Sequence, residues 1–286
     1  MPTMDDTECH PLTLTRKIPA YPVGNMPLSE HQDRAMRGTE GQAVAHHPHA
    51  WLDAGEVAGF CASDGGVLVG AGDEPLVWKG EAPDGVRVTA EKSFLIRYPW
   101  DFIRATECHV GGLKENRIEG EVHELAVVEG VIEVGEGTRI LPGVFIEGNV
   151  VIGRNCKIGP NCYIRGNTSI GDKCHIGQSV EVKNSLILSG TNVGHLSYVG
   201  DSVLGEGVNF GAGTTTSNLR HDGKNHFVVV NRERIDTGRR KFGAIVGDGV
   251  HTGINTSIYP ARMLWAGVST LPAEVVRKDI RETGKR

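Results

Sequence analysis

From Val134 to Val182 the chain reads VGEGTRILPGVFIEGNVVIGRNCKIGPNCYIRGNTSIGDKCHIGQSVEV. An isoleucine or valine recurs at every sixth position, and the fourth residue after each is small or apolar. The register slips by one residue twice and then continues at Ile187, Val193, Val199, Leu204 and Phe210. A hexad is too short to bury its own apolar residue, so the hexads must stack on one another. The sequence therefore predicts an all-β protein, a parallel β-helix of hexapeptide repeats.

Composition limits the remaining possibilities. A chain of 286 residues with 39% hydrophobic content fits one extended domain with additions, or two small domains. The net charge of −5 gives no case for nucleic acid as a partner. No apolar run approaches the ~20 residues of a membrane span, and no signal peptide opens the chain. We therefore expect no membrane partner. The cysteines, described next, indicate a reducing compartment and hence a cytoplasmic location.

The cysteines point to a reducing compartment. Three of the six, Cys156, Cys162 and Cys174, fall on inward positions of the repeat, where cysteine acts as a small hydrophobic residue. Their spacing fits neither a zinc site nor a disulfide framework. The run His46-His47-Pro48-His49 could bind a metal, but it contains a proline and lacks an acidic or cysteine partner at useful spacing. An incidental loop cluster is the favoured interpretation, and we expect no metal site.

The segments outside the repeat carry weaker signals. Residues 1–45 are polar without a sustained period, which predicts a mobile tail or a strap ordered only by docking. Residues 46–117 form a small irregular N-terminal region, 118–272 the β-helix, and 273–286 a short C-terminal helix or tail. Within the N-terminal region, short strands are predicted at 66–70 and 76–78, across a Gly-Asp turn, and a helix near 100–103.

Stacking arithmetic brings distant residues together. If three hexads make one coil, Arg165 lies directly beneath Lys183, and Tyr163, Glu181 and Tyr198 form a second column beside them. Two stacked cations repel each other unless an anion lies near, and Glu181 is the only carboxylate in that column. The column is therefore either a phosphate seat or a solvated edge with one ion pair worth ~0–1 kcal/mol. His195 points outward on the face that leads into this corner.

Five segments of the repeat and its C-terminal part resemble a known enzyme family. Val180–Lys183, Gly194–Asp201 and Val208–Thr214 are similar to the acetyltransferase domain of bifunctional UDP-N-acetylglucosamine pyrophosphorylase/glucosamine-1-phosphate N-acetyltransferase. Asn218–Gly223 and Thr237–Gly243 look like the archaeal-type sugar-1-phosphate nucleotidylyltransferase/acetyltransferases. The resemblance covers roughly 118–280, and it implies that the β-helix is left-handed, a triangular prism.

The resemblance also implies a role for each residue at a matching position. His195 would be the general base that takes a proton from the sugar amine, since a neutral imidazole is a suitable acceptor at neutral pH. The substrate would be an amino-sugar phosphate, most simply glucosamine-1-phosphate, and the acetyl donor acetyl-CoA. The other implied contacts are Arg165 and Lys183 to the phosphate, Glu181, Tyr198 and Asn209 to the sugar, Asn218 to the reacting groups, and the backbone of Ala266 and Gly267 to acetyl-CoA.

The positions of the implied site residues, together with the resemblance, also predict how the chain assembles. Asn209 lies on a different corner from Arg165 and Lys183, so a single chain does not easily bring them together. A homotrimer with the site between chains resolves this, and it is the family's usual assembly.

The sequence also departs from the family. The family's turn lysine has no lysine counterpart here, because the longer turn puts His226 near that place. Lys224 or the basic cluster Arg239, Arg240 and Lys241 could supply the missing phosphate contact, and this cluster is also the candidate for CoA phosphate. Upstream, the Gly-rich loop of the family's nucleotidylyltransferase half is absent, although 98–103 resembles the junction segment. We therefore predict no uridylyl transfer from this chain.

The sequence argues against one other function of hexapeptide-repeat proteins and leaves two others possible. A γ-class carbonic anhydrase needs three metal-binding histidines, and His175 with His195 does not make that set. A non-catalytic trimer that binds or senses a sugar phosphate or sugar nucleotide stays open, and so does acyl transfer to another amino sugar.

Overall fold

The computed structural model describes residues 6–39 and 43–282 and contains two compact units. One unit comprises Arg16–Pro22 and Met26–Arg97. The other comprises the remaining described residues, and it contains the whole hexapeptide repeat.

Three parallel sheets form the faces of the larger unit. Sheet A has seven strands: Glu121–Val122, Arg139–Ile140, Lys157–Ile158, His175–Gln178, Asn192–His195, Asn209–Phe210 and His251–Thr252. Sheet B has eight: Val127–Glu129, Phe145–Glu147, Tyr163–Arg165, Glu181–Lys183, Tyr198–Gly200, Thr215–Thr216, Ser257–Ile258 and Val275–Val276. Sheet C has eight: Arg117–Ile118, Ile132–Val134, Val150–Ile152, Thr168–Ile170, Leu186–Ile187, Val203–Leu204, Ala244–Val246 and Arg262–Leu264.

Successive strands of the chain pass from one sheet to the next, so the unit is a left-handed parallel β-helix, as predicted. Val134 pairs with Ile152, and Ile152 pairs with Ile170 on the next coil. Ile170 then pairs with Ile187, and Ile187 with Leu204, so each of these coils is one residue shorter. The two slips read from the sequence are therefore confirmed as shortened coils, which keep the aliphatic side chains in one inward ladder.

The core is the inside of the prism. The hexad aliphatics are buried there, together with Cys156, Cys162 and Cys174, each 2–3% exposed and none in a disulfide. The interpretation of these three thiols as small core hydrophobes is confirmed. Within the strand His175–Gln178, a Cβ on Gly177 would collide with the carbonyl of Gly194, so the close stacking of coils requires glycine at this position.

One long insertion leaves the β-helix between Thr215–Thr216 and Ala244–Val246. Its strands Phe227–Val230 and Glu233–Asp236 form an antiparallel hairpin, and a bridge between Leu219 and Lys241 closes its base. We call residues 219–241 the hairpin insertion. Because of this insertion, the strand that follows Val203–Leu204 in sheet C is Ala244–Val246, and Leu204 pairs with Val246.

A helix, Asp101–Gly111, packs against sheet C in the same unit. The amide of Asn149 donates to the Val110 carbonyl at 3.1 Å and ties the end of this helix to the β-helix. The predicted helix near 100–103 is confirmed and is longer than the sequence signal. We call it the Asp101–Gly111 helix.

The smaller unit has two helices, Leu28–Ala35 and Ala54–Ala62. Its four-stranded sheet confirms the two predicted strands, and a separate pair of strands completes it. The strands of the sheet, in spatial order, are Val44–His46, Pro75–Lys79, Val67–Val69 and Arg87–Thr89; the separate pair is Ala50–Trp51 and Phe94–Leu95. The remaining short elements of the chain are the 3-10 turns Asp6–Cys9, Leu12–Leu14 and Ile18–Ala20 and the strands Pro22–Val23 and Met26–Pro27.

A mobile tail, one of the two alternatives predicted for residues 1–45, does not fit the part that the structure describes. Residues 6–39 contain the three 3-10 turns and a helix, and Cys9, Tyr21 and Leu28 are fully buried. Short 3-10 turns have no repeating apolar period, which is why the pattern missed them. Residues 1–5 and 40–42 lie outside the described residues.

The predicted C-terminal helix is also wrong up to residue 282. Val275–Val276 pairs with Ser257–Ile258 in sheet B, and Ile280 forms a bridge with Leu264. The hexad spacing continues from Ile258 to Val276, so the chain adds another coil instead of a helix. Residues 283–286 lie outside the described part. No helix among the described residues is long and apolar enough to cross a membrane.

Candidate functional site

The candidate site begins with the columns on sheet B. Arg165 pairs in register with Lys183, and Tyr163, Glu181 and Tyr198 follow one another on three successive coils. The stacking predicted from the sequence is therefore confirmed for these five residues.

Arg165 and Glu181 form the first ion pair of the column. The Arg165 Nε and Nη2 atoms lie 2.8 and 2.7 Å from Oε1 of Glu181, and about a third of each side chain is exposed. The hydrogen bond to Glu181 raises the pKa of the Arg165 guanidinium, which stays charged. The guanidinium also lies 5.4 Å from the centre of the Tyr163 ring. Because this pair is open to solvent on one side, an anionic ligand can reach the guanidinium.

Lys183 is paired with a carboxylate that the sequence analysis missed. Its Nζ lies 2.8 and 3.0 Å from the two carboxylate oxygens of Asp201, and the two side chains are only 15% and 3% exposed. Glu181 is therefore not the only acid at this edge. Gly200 pairs with Lys183 on the next coil, and Asp201 follows it with φ of 49°. That left-handed turn directs the side chain back toward Lys183, and the Gly-Asp dipeptide was the signal available in the sequence.

Asn218 joins this pair to Tyr198. The Asn218 Nδ2 donates to the Tyr198 hydroxyl at 3.0 Å and to Asp201 Oδ2 at 2.6 Å. Burial raises the pKa of the Tyr198 phenol, and the charges of Asp201 and Glu181 add to the effect, so the hydroxyl stays protonated. A Cβ on Gly200 would collide with the Tyr198 hydroxyl and with Nδ2 of Asn218, so only glycine allows this approach.

The network continues to the hairpin insertion. Asn184 Nδ2 donates to Asp201 Oδ1 at 3.1 Å and to Glu107 Oε1 at 2.7 Å, and Glu107 also accepts from Arg239 Nη2 at 2.6 Å. Arg239 is 16% exposed and is committed to Glu107, whereas Arg240 and Lys241 are exposed. The structure therefore divides the predicted basic cluster, and only its last two members remain open to a ligand phosphate.

His195 lies on the other face that meets this corner. It ends a strand of sheet A, pairs with Gln178 and is exposed, as predicted. Its carbonyl accepts from Ser197 Oγ at 2.8 Å, while its ring makes no hydrogen bond within 6–39 and 43–282. Asn209 is also exposed on sheet A, between Asn192 and His251. The structure thus divides the predicted site into a sheet B group and a sheet A group.

Two further candidates have backbone or ring contacts of their own. The Gly267 amide, which follows Ala266, donates to the Asp248 carbonyl at 2.8 Å, so this N–H group already has a hydrogen bond within the chain. His226 is buried, with Nε2 3.3 Å from the Asn218 carbonyl and its ring edge-on to Phe242. Burial lowers the pKa of His226 and favours the neutral ring. His226 therefore supports the Asn218 turn from a buried position.

An open cavity lies where the hairpin insertion begins. Its volume is about 590 Å³, and its lining includes Ser217, Leu219, His221 and Tyr259. Ser217 donates its amide to the Ile258 carbonyl at 2.9 Å, which places this cavity on the two coils that follow the coil of Gly200 along sheet B. Among the described residues, no group of three His, Cys, Asp or Glu side chains is arranged to hold a metal ion.

Comparison with known proteins supports the family resemblance. Residues 146–280 match the model of the GMPPB C-terminal domain. The chain is 43% identical over 182 residues to a bifunctional sugar-1-phosphate nucleotidylyltransferase/acetyltransferase of Sulfurisphaera tokodaii, covering 64% of this chain and 45% of that protein. It is 40% identical over 185 residues to the bifunctional protein GlmU of Methanococcus aeolicus, covering 63% of this chain and 44% of that protein. The resemblance predicted from the motifs is confirmed over the C-terminal part of the chain.

These matches cover only part of each protein. The chain spans less than half the length of the curated relatives that it matches. Among solved structures, the acetyltransferase domain of PglB from Neisseria gonorrhoeae is 11% identical, with a TM-score of 0.24, covering 58% of this chain and 53% of that one. That similarity is too weak to bear on the site.

Proposed function

We propose that this protein is an N-acetyltransferase that moves an acetyl group from acetyl-CoA to the amine of an amino-sugar 1-phosphate, with glucosamine-1-phosphate as the first candidate. The observation that carries the proposal is the sheet B column. Arg165, Glu181 and Tyr198 lie on adjacent coils at one edge, and Asn218 is hydrogen-bonded to the Tyr198 hydroxyl. The family resemblance assigns Arg165 to the phosphate, Glu181 and Tyr198 to the sugar, and Asn218 to the reacting groups.

The chemistry of the step suits the residues present. Neutral His195 takes a proton from the sugar ammonium, and the freed amine attacks the thioester carbonyl carbon. The new C–N bond forms as the C–S bond breaks, the attacking nitrogen gives its second proton to the departing sulfur, and CoA leaves as the thiol. His195 then returns its proton to solvent. Arg165 supplies the charge-assisted contact to the phosphate, because its guanidinium is the more exposed of the two stacked cations.

Assembly into a homotrimer completes this site. His195 and Asn209 lie on sheet A, and Arg165 and Lys183 lie on sheet B of the same chain. A neighbouring copy would bring the sheet A group of one chain to the sheet B group of the next. Light scattering tests this step: a monomer that retains full turnover contradicts it.

The deciding experiment is thiol release from acetyl-CoA against a panel of amino-sugar phosphates. We expect turnover with glucosamine-1-phosphate, and less with free glucosamine because the contact to Arg165 is lost. Comparing the rate of thiol release with glucosamine-1-phosphate, its galactosamine analogue and the other amino sugars in the panel identifies the acceptor. No turnover with any member contradicts the proposed function.

A second candidate is a non-catalytic β-helix that binds a sugar phosphate or sugar nucleotide. One observation favours it: the His195 ring has no hydrogen-bond partner to orient it among the described residues. Titration calorimetry separates the two functions, since a pure binding protein would bind the sugar phosphate without releasing thiol.

The predicted absence of uridylyl transfer stays a prediction, and a pyrophosphate-release assay with UTP and magnesium tests it.

A further inference from the structure

We propose that Asp201 is the positioning residue of this site: its carboxylate fixes Lys183 and turns the Asn218 amide so that its oxygen faces the ligand. This inference rests on the proposed function for its kinetic consequences. Asp201 is not among the residues that the family resemblance assigns to substrate, and it acts through the two that are.

The contacts of the carboxylate are the first step. Oδ1 accepts from Lys183 Nζ and Asn184 Nδ2, and Oδ2 accepts from Lys183 Nζ and Asn218 Nδ2, at 2.6 to 3.1 Å. The side chain is 3% exposed. A carboxylate this deeply buried is tolerated only with such a set of donors. These donors belong to two different segments of the chain, Lys183-Asn184 and Asn218, so one charge sets their relative placement.

The Asn218 amide is the second step. An asparagine amide has two N–H donors and one carbonyl acceptor, and the two ends are interchangeable in shape. Both donors are used, one by Tyr198 OH and one by Asp201 Oδ2. A carboxylate can only accept, so it excludes the reversed amide, in which Oδ1 would face Asp201. Asn218 Oδ1 is thereby held as an acceptor, suited to an N–H or O–H of an amino sugar.

Lys183 is the third step. An ammonium has three N–H donors, and two of them are directed to Asp201. One donor is left for a ligand oxygen, in a direction that the carboxylate fixes. A buried ion pair is weak evidence for stability, because a well-packed apolar pair often serves as well. Orientation of Lys183 and Asn218 is therefore the better explanation for a charge at this position.

The test variant is Asp201→Asn. Asparagine is one of the residues that tolerate the positive φ of 49° found here, so the backbone turn is kept while the charge is lost. Its matched control is Asp172→Asn, a corner aspartate whose Oδ1 accepts from the Arg154 amide. Circular dichroism and gel filtration check that both variants are folded. The double variant Lys183→Met/Asp201→Asn leaves no uncompensated charge, and it keeps the Tyr198 titration described next valid if Asp201→Asn alone is unstable.

The first readout needs no enzymatic activity. The charge of Asp201 is one of the causes that raise the pKa of Tyr198. Asp201→Asn should therefore lower the pKa of that phenol, measured by the ultraviolet absorbance of the phenolate and assigned by subtracting the titration of Asp201→Asn/Tyr198→Phe. Asp172→Asn should leave the titration unchanged. An unaltered Tyr198 titration in folded Asp201→Asn overturns the proposal.

The second readout is kinetic. Losing a charged hydrogen-bond partner should lower kcat/KM for the amino-sugar phosphate by about 10- to 100-fold, with affinity for acetyl-CoA unchanged. Wild-type kcat/KM in a folded Asp201→Asn protein overturns the proposal. If the wild-type protein itself shows no turnover, the proposed function fails, and the Tyr198 titration alone decides the role of Asp201.

Discussion

Glu107 and Arg239 form an ion pair, with Arg239 Nη2 2.6 Å from Glu107 Oε1, that ties the Asp101–Gly111 helix to the end of the hairpin insertion. The same carboxylate oxygen accepts from Asn184, the residue after Lys183. The helix, the insertion and the sheet B edge are therefore held together by one acid.

The first prediction concerns this pair. Arg239→Met should lower the free energy of unfolding by about 1–3 kcal/mol, because it removes a charged hydrogen bond from partly buried Glu107. The matched control is Arg240→Met, an exposed neighbour expected to change stability by no more than about 0.5 kcal/mol. Urea denaturation measures both. Equal stability of the two variants would show that the pair contributes little to the fold.

Arg165 and Lys183 should respond differently to truncation. Arg165→Ala removes a partly exposed ion pair worth about 0–1 kcal/mol, so the fold should persist while KM for the sugar phosphate rises by about one to two decades. Lys183→Ala leaves the buried Asp201 carboxylate without its cation, which typically costs about 3–5 kcal/mol. Thermal unfolding and Michaelis kinetics distinguish the two.

Free glucosamine is the substrate control for Arg165→Ala. Because it carries no phosphate, the wild type and the variant should differ little on it. An equal loss on both substrates would mean that Arg165 has a structural role rather than a phosphate contact.

His195→Ala tests the proposed base. The side chain is exposed, so stability should stay within about 0.5–1 kcal/mol of wild type. If the imidazole accepts the proton, kcat should fall by about 10²–10⁴-fold with acetyl-CoA affinity unchanged, and higher pH should restore part of the rate. His123→Ala, another exposed histidine next to sheet A, is the matched control. A folded His195→Ala protein with wild-type kcat would remove His195 from the mechanism.

Acid should weaken the turn that carries Asn218. Burial lowers the pKa of His226 below its ordinary value of 6.5, so the folded state keeps this ring neutral where the unfolded chain already takes a proton. The unfolded state then binds more protons, and stability should fall as the pH drops below about 6.5. Melting temperatures of wild type and His226→Gln between pH 7.5 and 5 check this. An identical pH dependence of both proteins would assign the loss to other groups.

The sequence by itself determined the β-helix and the column on sheet B. Strict hexad spacing fixes both, because one inward side chain per hexad sets the stacking of coils, and stacking in turn aligns Arg165 with Lys183. The two coils that are one residue shorter could also be predicted from the sequence, because the position of the next aliphatic residue shows the new register. Burial of Cys156 and Cys162 follows from the same spacing.

Only the tertiary structure decided which charges are paired and which are open to a ligand. Asp201 reaches Lys183 through a left-handed turn, and Glu107 reaches Arg239 from a helix outside the repeat. Neither contact has a sequence period, because each depends on the direction of one side chain across segments far apart in the chain. Residues 6–39 were missed because their short 3-10 turns have no repeating apolar period, although Cys9, Tyr21 and Leu28 are fully buried.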